Sequence, residues 1–395
     1  MGDPTKGHRP DGQMGRTKSG HRTRGVVTNT RRAFVAAGGA GLVTAFAGCL
    51  GAASNESSDS TTTVDPSQET DFRLHWDRAN NIYANITAAE EWTWPKQGVD
   101  VTVKTSNGGQ AAAKSVSSGK EPFGTGGYGA VLQLIDSGAP LTVVANFTGP
   151  WGGVVSIDST TLDSWSDVEG LTVGQFPFGS TPIVAKAAMR REGVDLDAVN
   201  FQNVQPGAGM QALKDGGIDA LIRYIPQTKA RLEMEGHDVH VLKSVDVLNH
   251  LGLALYAHDD VVADDPELVS KMVAGFIDGL KFWAENHDQV MDAQKDLVDE
   301  ANWRPELNER MLGPVLAAQA PPKEVGREYG KGWITTDRLQ KTIDIFHEAG
   351  AIDEAMDPET TFTNEFVEQN QSLAIETADA LYERLEEFDV APDYI

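Results

Sequence analysis

One cysteine in 395 residues, Cys49, leaves nothing for an internal disulfide to join. Positive charge is scarce too: 33 Lys and Arg stand against 58 Asp and Glu, for a formal net charge of −25. Phosphate backbones need a basic face, so this balance argues against nucleic-acid binding. Eight of the basic residues precede Cys49, leaving 25 basic and 56 acidic after it. With 40% hydrophobic residues the acidity belongs to a folded body, and it suits a protein adapted to high salt, where self-repulsion is screened. The apolar run Ala33 to Gly48 is glycine-rich and too short for a comfortable membrane span. Signatures of chemistry are also missing. No nucleophile elbow is present. His237-Asp-Val-His240 has an odd spacing, which on a strand sends the two rings to opposite faces, so no metal is expected. Gly124-Thr-Gly126-Gly-Tyr-Gly129 matches a dinucleotide fingerprint by letter, but about 20 residues on stand Asn146 and Gly149 in place of a ribose-binding acid. No cofactor is expected.

What is present begins with an address. Thr30-Arg31-Arg32-Ala33-Phe34-Val35 is a twin-arginine export pattern, and the run behind it ends in Phe46-Ala47-Gly48-Cys49. This resembles a lipoprotein signal, in which Cys49 takes the lipid and becomes the new N-terminus. Residues 1–48 are then a signal peptide, and 49–70, rich in Ser, Thr and Asp, a flexible tether. The expected product is a body outside the cell, held to the outer face of the membrane by a lipidated cysteine alone.

In the body, strands and helices alternate. Phe72 to Trp76, Val99 to Lys104 and Leu141 to Phe147 read as strands, with helices over Ile82 to Trp94 and Val131 to Asp136 and a glycine-rich loop from Phe123 to Ala130. A second unit runs from Leu171 to Pro226, with strands before Phe176, at Val199 to Val204 and at Ile218 to Tyr224. Its helix is expected to be capped by Ser180 and Thr181, with Pro182 first and Gly193 as the stop. From Asp265 the chain is helical, with Leu268, Met272, Phe276, Leu280 and Trp283 on one face. This rhythm predicts an α/β fold of mostly parallel sheets flanked by helices, with ligands at the carboxyl ends of the strands. Trp76, Tyr128, Phe147, Trp151, Phe178 and Tyr224 fall at or just past such ends. Loops have little use for so many rings, so the set reads as a binding surface. Gly126, Gly127, Ser180 and Thr181 offer N–H groups to a polar end of the ligand. Asn80 and Tyr83 join as looser candidates. Arg223 either meets an anionic group of the ligand or makes a salt bridge between lobes.

Phe123-Gly-Thr-Gly-Gly-Tyr128, Gly216-Gly-Ile-Asp-Ala220 leading to Ile225-Pro226, Trp333-Ile-Thr-Thr-Asp, Glu348-Ala-Gly-Ala-Ile352 and Phe362-Thr-Asn-Glu-Phe366 stand in an order that carries a resemblance. Over residues 71–370 the chain resembles the periplasmic-type solute-binding proteins of ABC importers, in the branch for nitrate, sulfonate, taurine and thiamine-pyrimidine precursors. The resemblance implies a type II fold of two lobes closing on one small molecule. The first lobe would comprise residues 71–165 and 251–395, the second 166–250, with crossovers near Ser164 and Leu251. It also implies a monomer working with a membrane permease and its ATPase. Leu74-His-Trp76 stands where the branch often has Leu-Asp-Trp, so His75 replaces an acid and the ligand cannot be copied across. An enzyme of thiamine-pyrimidine synthesis on the same fold uses a histidine where Ile82 stands, so an enzyme is not expected. Such an enzyme and a solute sensor remain the alternatives. The aromatic set favours a pyrimidine-like heterocycle over a bare anion such as nitrate.

Overall fold

The computed structural model describes residues 68–79, 81–176, 179–205, 207–300, 302–353 and 356–388. The signal with Arg31 and Arg32, Cys49 and most of the tether lie outside the described residues, as do Asn80 and Phe178. The described strands are β1 (Gln68–Leu74), β2 (Val99–Thr105), β3 (Phe123–Gly127), β4 (Leu141–Thr148), β5 (Gly152–Ile157), β6 (Thr172–Gln175), β7 (Asn200–Asn203), β8 (Ala220–Tyr224), β9 (Val239–Lys243) and β10 (Leu253–His258). They form two five-stranded sheets, β2-β1-β3-β10-β4 and β7-β6-β8-β5-β9.

Both sheets follow one pattern. β1 runs parallel to β2 and β3, and β6 parallel to β7 and β8. The fourth strand of each is antiparallel to its neighbours, β10 to β3 and β4, β5 to β8 and β9. Each odd strand is the one the chain lays down on arriving from the other sheet, so the two halves are stitched together twice. This is the expected α/β architecture of two helix-flanked sheets.

Several local expectations change. β1 starts inside the expected tether because Gln68 to Leu74 pair with Val99 to Thr105 in register. The first crossing comes before Ser164: β4 ends at Thr148, and Gly152 to Ser156 already pair with β8 in the second sheet. The return runs from Ser244 to Gly252, after which β10 rejoins the first sheet. The glycine-rich segment is no loop but β3, a central strand. A Cβ on Gly124 would lie 3.0 Å from Arg73 O and from Val116 and 3.1 Å from the Tyr256 hydroxyl, so glycine there serves close packing. The helix Ser180–Arg191 is capped by Gly179, at φ +118°, without a side-chain cap, so Ser180 and Thr181 open its first turn. Gly193, at φ +83°, stops it as expected.

The core of the first sheet is covered by helices Pro266–Glu285, Pro305–Gln319 and Gln371–Leu385. Leu268, Met272, Phe276, Leu280 and Trp283 are all buried there, as their spacing requires. Among the described residues no helix is long and apolar enough to cross a membrane.

Candidate functional site

Where strands of both sheets end, the two halves meet. A Cβ added to Gly127 or Gly129, beside the start of helix Tyr128–Asp136, would come within 2.8 Å of Ser180 Oγ. Ser180 opens the helix that follows β6. Two helix starts, one from each sheet, therefore face each other across glycines that leave no room for a side chain.

Beyond Leu74, β1 delivers His75 into a buried chain of hydrogen bonds. Its Nδ1 lies 3.0 Å from Thr125 Oγ1 and its Nε2 lies 3.1 Å from the Tyr83 hydroxyl. Both partners are hydroxyls, which donate or accept, so a neutral imidazole can donate from one ring nitrogen and accept at the other. Burial drives the same way and pushes the His75 pKa down to about 4. Burial also raises the Tyr83 hydroxyl, with Asp77 adding to the shift. Tyr224, at the end of β8, is held protonated by burial and, secondarily, by Tyr83. Its ring lies against Trp151, centroids 4.6 Å apart and tilted by 35°. Trp151 belongs to the first crossing, and its carbonyl accepts from Ile225 N at 3.0 Å, so this pair ties the crossing to the second sheet.

At several strand ends the polar accounts do not balance. Among the described residues, the hydroxyls of Tyr128 and Tyr224, Asn146 Oδ1, Trp151 Nε1 and Gln175 Oε1 are buried without a hydrogen-bond partner, as are atoms away from the strand ends such as those of Asn85 and Thr87. Buried polar atoms are nearly always paired, because leaving one unpaired costs about 1–3 kcal/mol. The first five belong to residues in the last turn of a strand or just beside it. A polar guest, or water in its place, would satisfy them.

The other expected residues divide. Trp76 is 40% exposed beside His75. Thr181 packs close to Gly152, at whose Cβ position its methyl would sit 2.7 Å away. Gly126 lies within β3 opposite Ala254, so it is part of the sheet ladder rather than an open donor. Phe147 is wholly buried and meets Phe276 edge-on at 5.1 Å, which makes it a core residue. Arg223 alternates to the face of β8 opposite Tyr224. Its guanidinium lies 5.0 Å from the Phe176 ring centre, and no carboxylate pairs with it among the described residues. Burial, then Arg231, lowers its pKa. His237 precedes β9 and bonds Asp158 at 2.9 Å. His75 and Asn146 are the additions. Asn146 carried a faint signal as the one amide in the apolar run of β4. His75 is a ring between Leu74 and Trp76, and only its distant partner Thr125 gives it a role.

His75 and His250 are both fully buried with pKa values near 4, against 6.5 when exposed. The unfolded chain therefore binds more protons between those limits, and stability falls as pH drops from about 6.5 to about 4, by on the order of 3 kcal/mol for each ring. Urea unfolding across that range should show this limb, and His75→Gln should remove about half of it, leaving the part due to His250. Two surface cavities lie elsewhere. A groove of about 450 Å³ runs beside Glu285, His287, Asp288, Glu383 and Arg384, and a crevice of about 390 Å³ is lined by Glu233, Met234, Glu306 and Arg310. Neither is lined by a residue at a strand end.

The riboflavin-binding protein RibY of Chloroflexus aurantiacus is 26% identical over 211 residues, 52% of this chain and 58% of that protein's length. A formylaminopyrimidine-binding protein of Halalkalibacterium halodurans is 24% identical over 62% of this chain and 76% of its own. The periplasmic aliphatic sulphonate binding protein SsuA of Escherichia coli superposes with a TM-score of 0.62 at 14% identity, covering 76% of this chain and 99% of that one. The last likeness shows that the two-sheet arrangement is the periplasmic-binding-protein fold. The NMT1/THI5-like family model matches residues 80–290, more than half of the sequence, and the chain belongs to that family.

Proposed function

We propose that this protein is an extracytoplasmic solute-binding lipoprotein of an ABC importer, which captures a small organic solute between its two sheets and delivers it to a membrane permease. The observation that carries the reading is that Trp151 and Tyr224, stacked side by side at strand ends, each hold a buried polar atom with no partner among the described residues, with further unpaired atoms at the strand ends of Tyr128, Asn146 and Gln175. Aromatic faces suit a flat heterocycle, and scattered single donors and acceptors suit its polar edge. Relatives named for riboflavin and for formylaminopyrimidine fit that chemistry, and the sulfonate binder with the same fold keeps an anionic group in contention. The helix start at Ser180 would take such a group. Export by the twin-arginine route, a lipid on Cys49 and a monomeric body complete the proposal from the sequence.

The rival reading, an enzyme on the same fold, needs a base titrating near neutrality in the cleft. His75, Tyr83, Tyr128 and Tyr224 are all held uncharged by burial. Lys331, whose pKa burial lowers to about 7, is sealed behind β4, where its ammonium donates to Phe147 O and Gln319 O. A thermal-shift screen of flavins, aminopyrimidines and alkanesulfonates at high salt tests the proposal. A ligand at about 100 times its dissociation constant should stabilise the protein by about 2.7 kcal/mol. A shift with sulfonates alone would move the ligand class, and conversion of a bound compound would favour the enzyme.

A further inference from the structure

Away from the strand ends, the two halves touch along a second line. Helix Ile225–Met234, which follows β8, lies along helix Pro305–Gln319, which covers the first sheet, and Ala230 is buried in that sheet's core. Both helices are tied at one end to the same crossing. Ile225 N donates to Trp151 O at 3.0 Å, and Gly149 N donates to Ala318 O at 2.7 Å. The first helix leaves the crossing and the second arrives at it, so their outer ends lie together, far from the pivot. Glu233 and Arg310 meet there at 3.8 Å, beside the crevice that Met234 and Glu306 also line. Glu233 is further held by Lys229, one turn back on its own helix.

We propose that Glu233 and Arg310 form an electrostatic latch between the lobes, holding the closed arrangement at the point where opening moves the chain most. The proposal rests on the reading that the two halves open and close on a guest. Position gives the pair its leverage. From Ile225 to Glu233 the helix rises about 12 Å, so a rotation of about 20° at the crossing would carry Glu233 about 4 Å from its partner. An ion pair 3.8 Å long and partly exposed does not survive that separation. Contacts near the pivot, such as Trp151 with Ile225, survive the same rotation, so they report little about closure. Reversing Arg310 does more than delete the pair, since it sets a carboxylate against Glu233 and one turn from Glu306 on its own helix.

Small-angle scattering of the ligand-free protein at low salt tests the latch without any knowledge of the guest. A compact body of this size has a radius of gyration of about 20 Å, and Arg310→Glu should raise it, with Arg310→Gln shifting it less in the same direction. The charge swap Glu233→Lys with Arg310→Glu should return the compact value. A cooperative melt for each variant ensures that expansion is not unfolding. An unchanged radius in folded Arg310→Glu, or a swap that stays expanded, would overturn the latch. Either result leaves the ligand screen to stand or fall alone.

Discussion

Alanine at position 252 is expected to destabilise the protein by about 3 kcal/mol, a large loss for the addition of one methyl group. Gly252 sits where the return crossing passes the first one. A Cβ there would lie 2.0 Å from Gly149 O, 2.6 Å from Gly149 C and 2.9 Å from Thr148 O. All three atoms are backbone, so no rotamer change makes room and the two crossings must part. The second is pinned from behind as well: Arg338 donates to His250 O at 3.0 Å, and Leu251 N donates to Thr342 Oγ1 at 3.0 Å. The comparison that isolates packing is Gly138→Ala. Gly138 has φ +84° and nothing within 4 Å, so alanine there carries backbone strain alone, about 1 kcal/mol. Urea unfolding of the two variants side by side decides the matter. Equal losses would mean that the crossings yield more readily than this contact implies.

The other large effect is global. With 25 basic against 56 acidic residues after Cys49, folding concentrates like charge. Raising salt from about 0.1 to about 1 M shortens the screening length from about 10 to about 3 Å and removes most of that repulsion. The native state, being the denser distribution, gains more than the unfolded chain. Stability in urea should therefore rise by on the order of 5 kcal/mol across that range of potassium chloride. A surface that worked mainly through ion pairs would weaken instead. Pairs such as Lys281 with Glu376 and Lys341 with Asp337 are exposed and worth little singly, so repulsion dominates. A midpoint that stays level or falls with salt would contradict the reading of the acidic composition.

Much of the architecture was legible because it depends on local pattern. Alternation in Val99-Asp-Val-Thr-Val marked β2, and one apolar face from Leu268 to Trp283 marked the long helix. What the sequence hid depends on neighbours far along the chain. β5 opens with two glycines and is too short to alternate visibly, and its place in the second sheet is set by β8 and β9. β3 looked like a loop because its glycines answer to Arg73 and Tyr256, which no local window contains. The site divides in the same way. Rings at strand ends picked out Trp151 and Tyr224, which lie against each other, but the same rule swept in Phe147, whose side chain the pleat turns into the core against Phe276. His75 stayed hidden because its neutral state follows from burial against Thr125 and Tyr83.

The proposed binding function stands on a guest that completes the unpaired atoms at the strand ends, beginning with those of Trp151 and Tyr224. A crystal structure with the compound giving the largest thermal shift tests this most directly. The ligand's flat part should lie against the Trp151 and Tyr224 rings, with hydrogen bonds to at least two of Tyr128, Asn146, Trp151, Gln175 and Tyr224. Density for the compound in the groove beside His287 and Arg384, with those five atoms still unpaired, would contradict it.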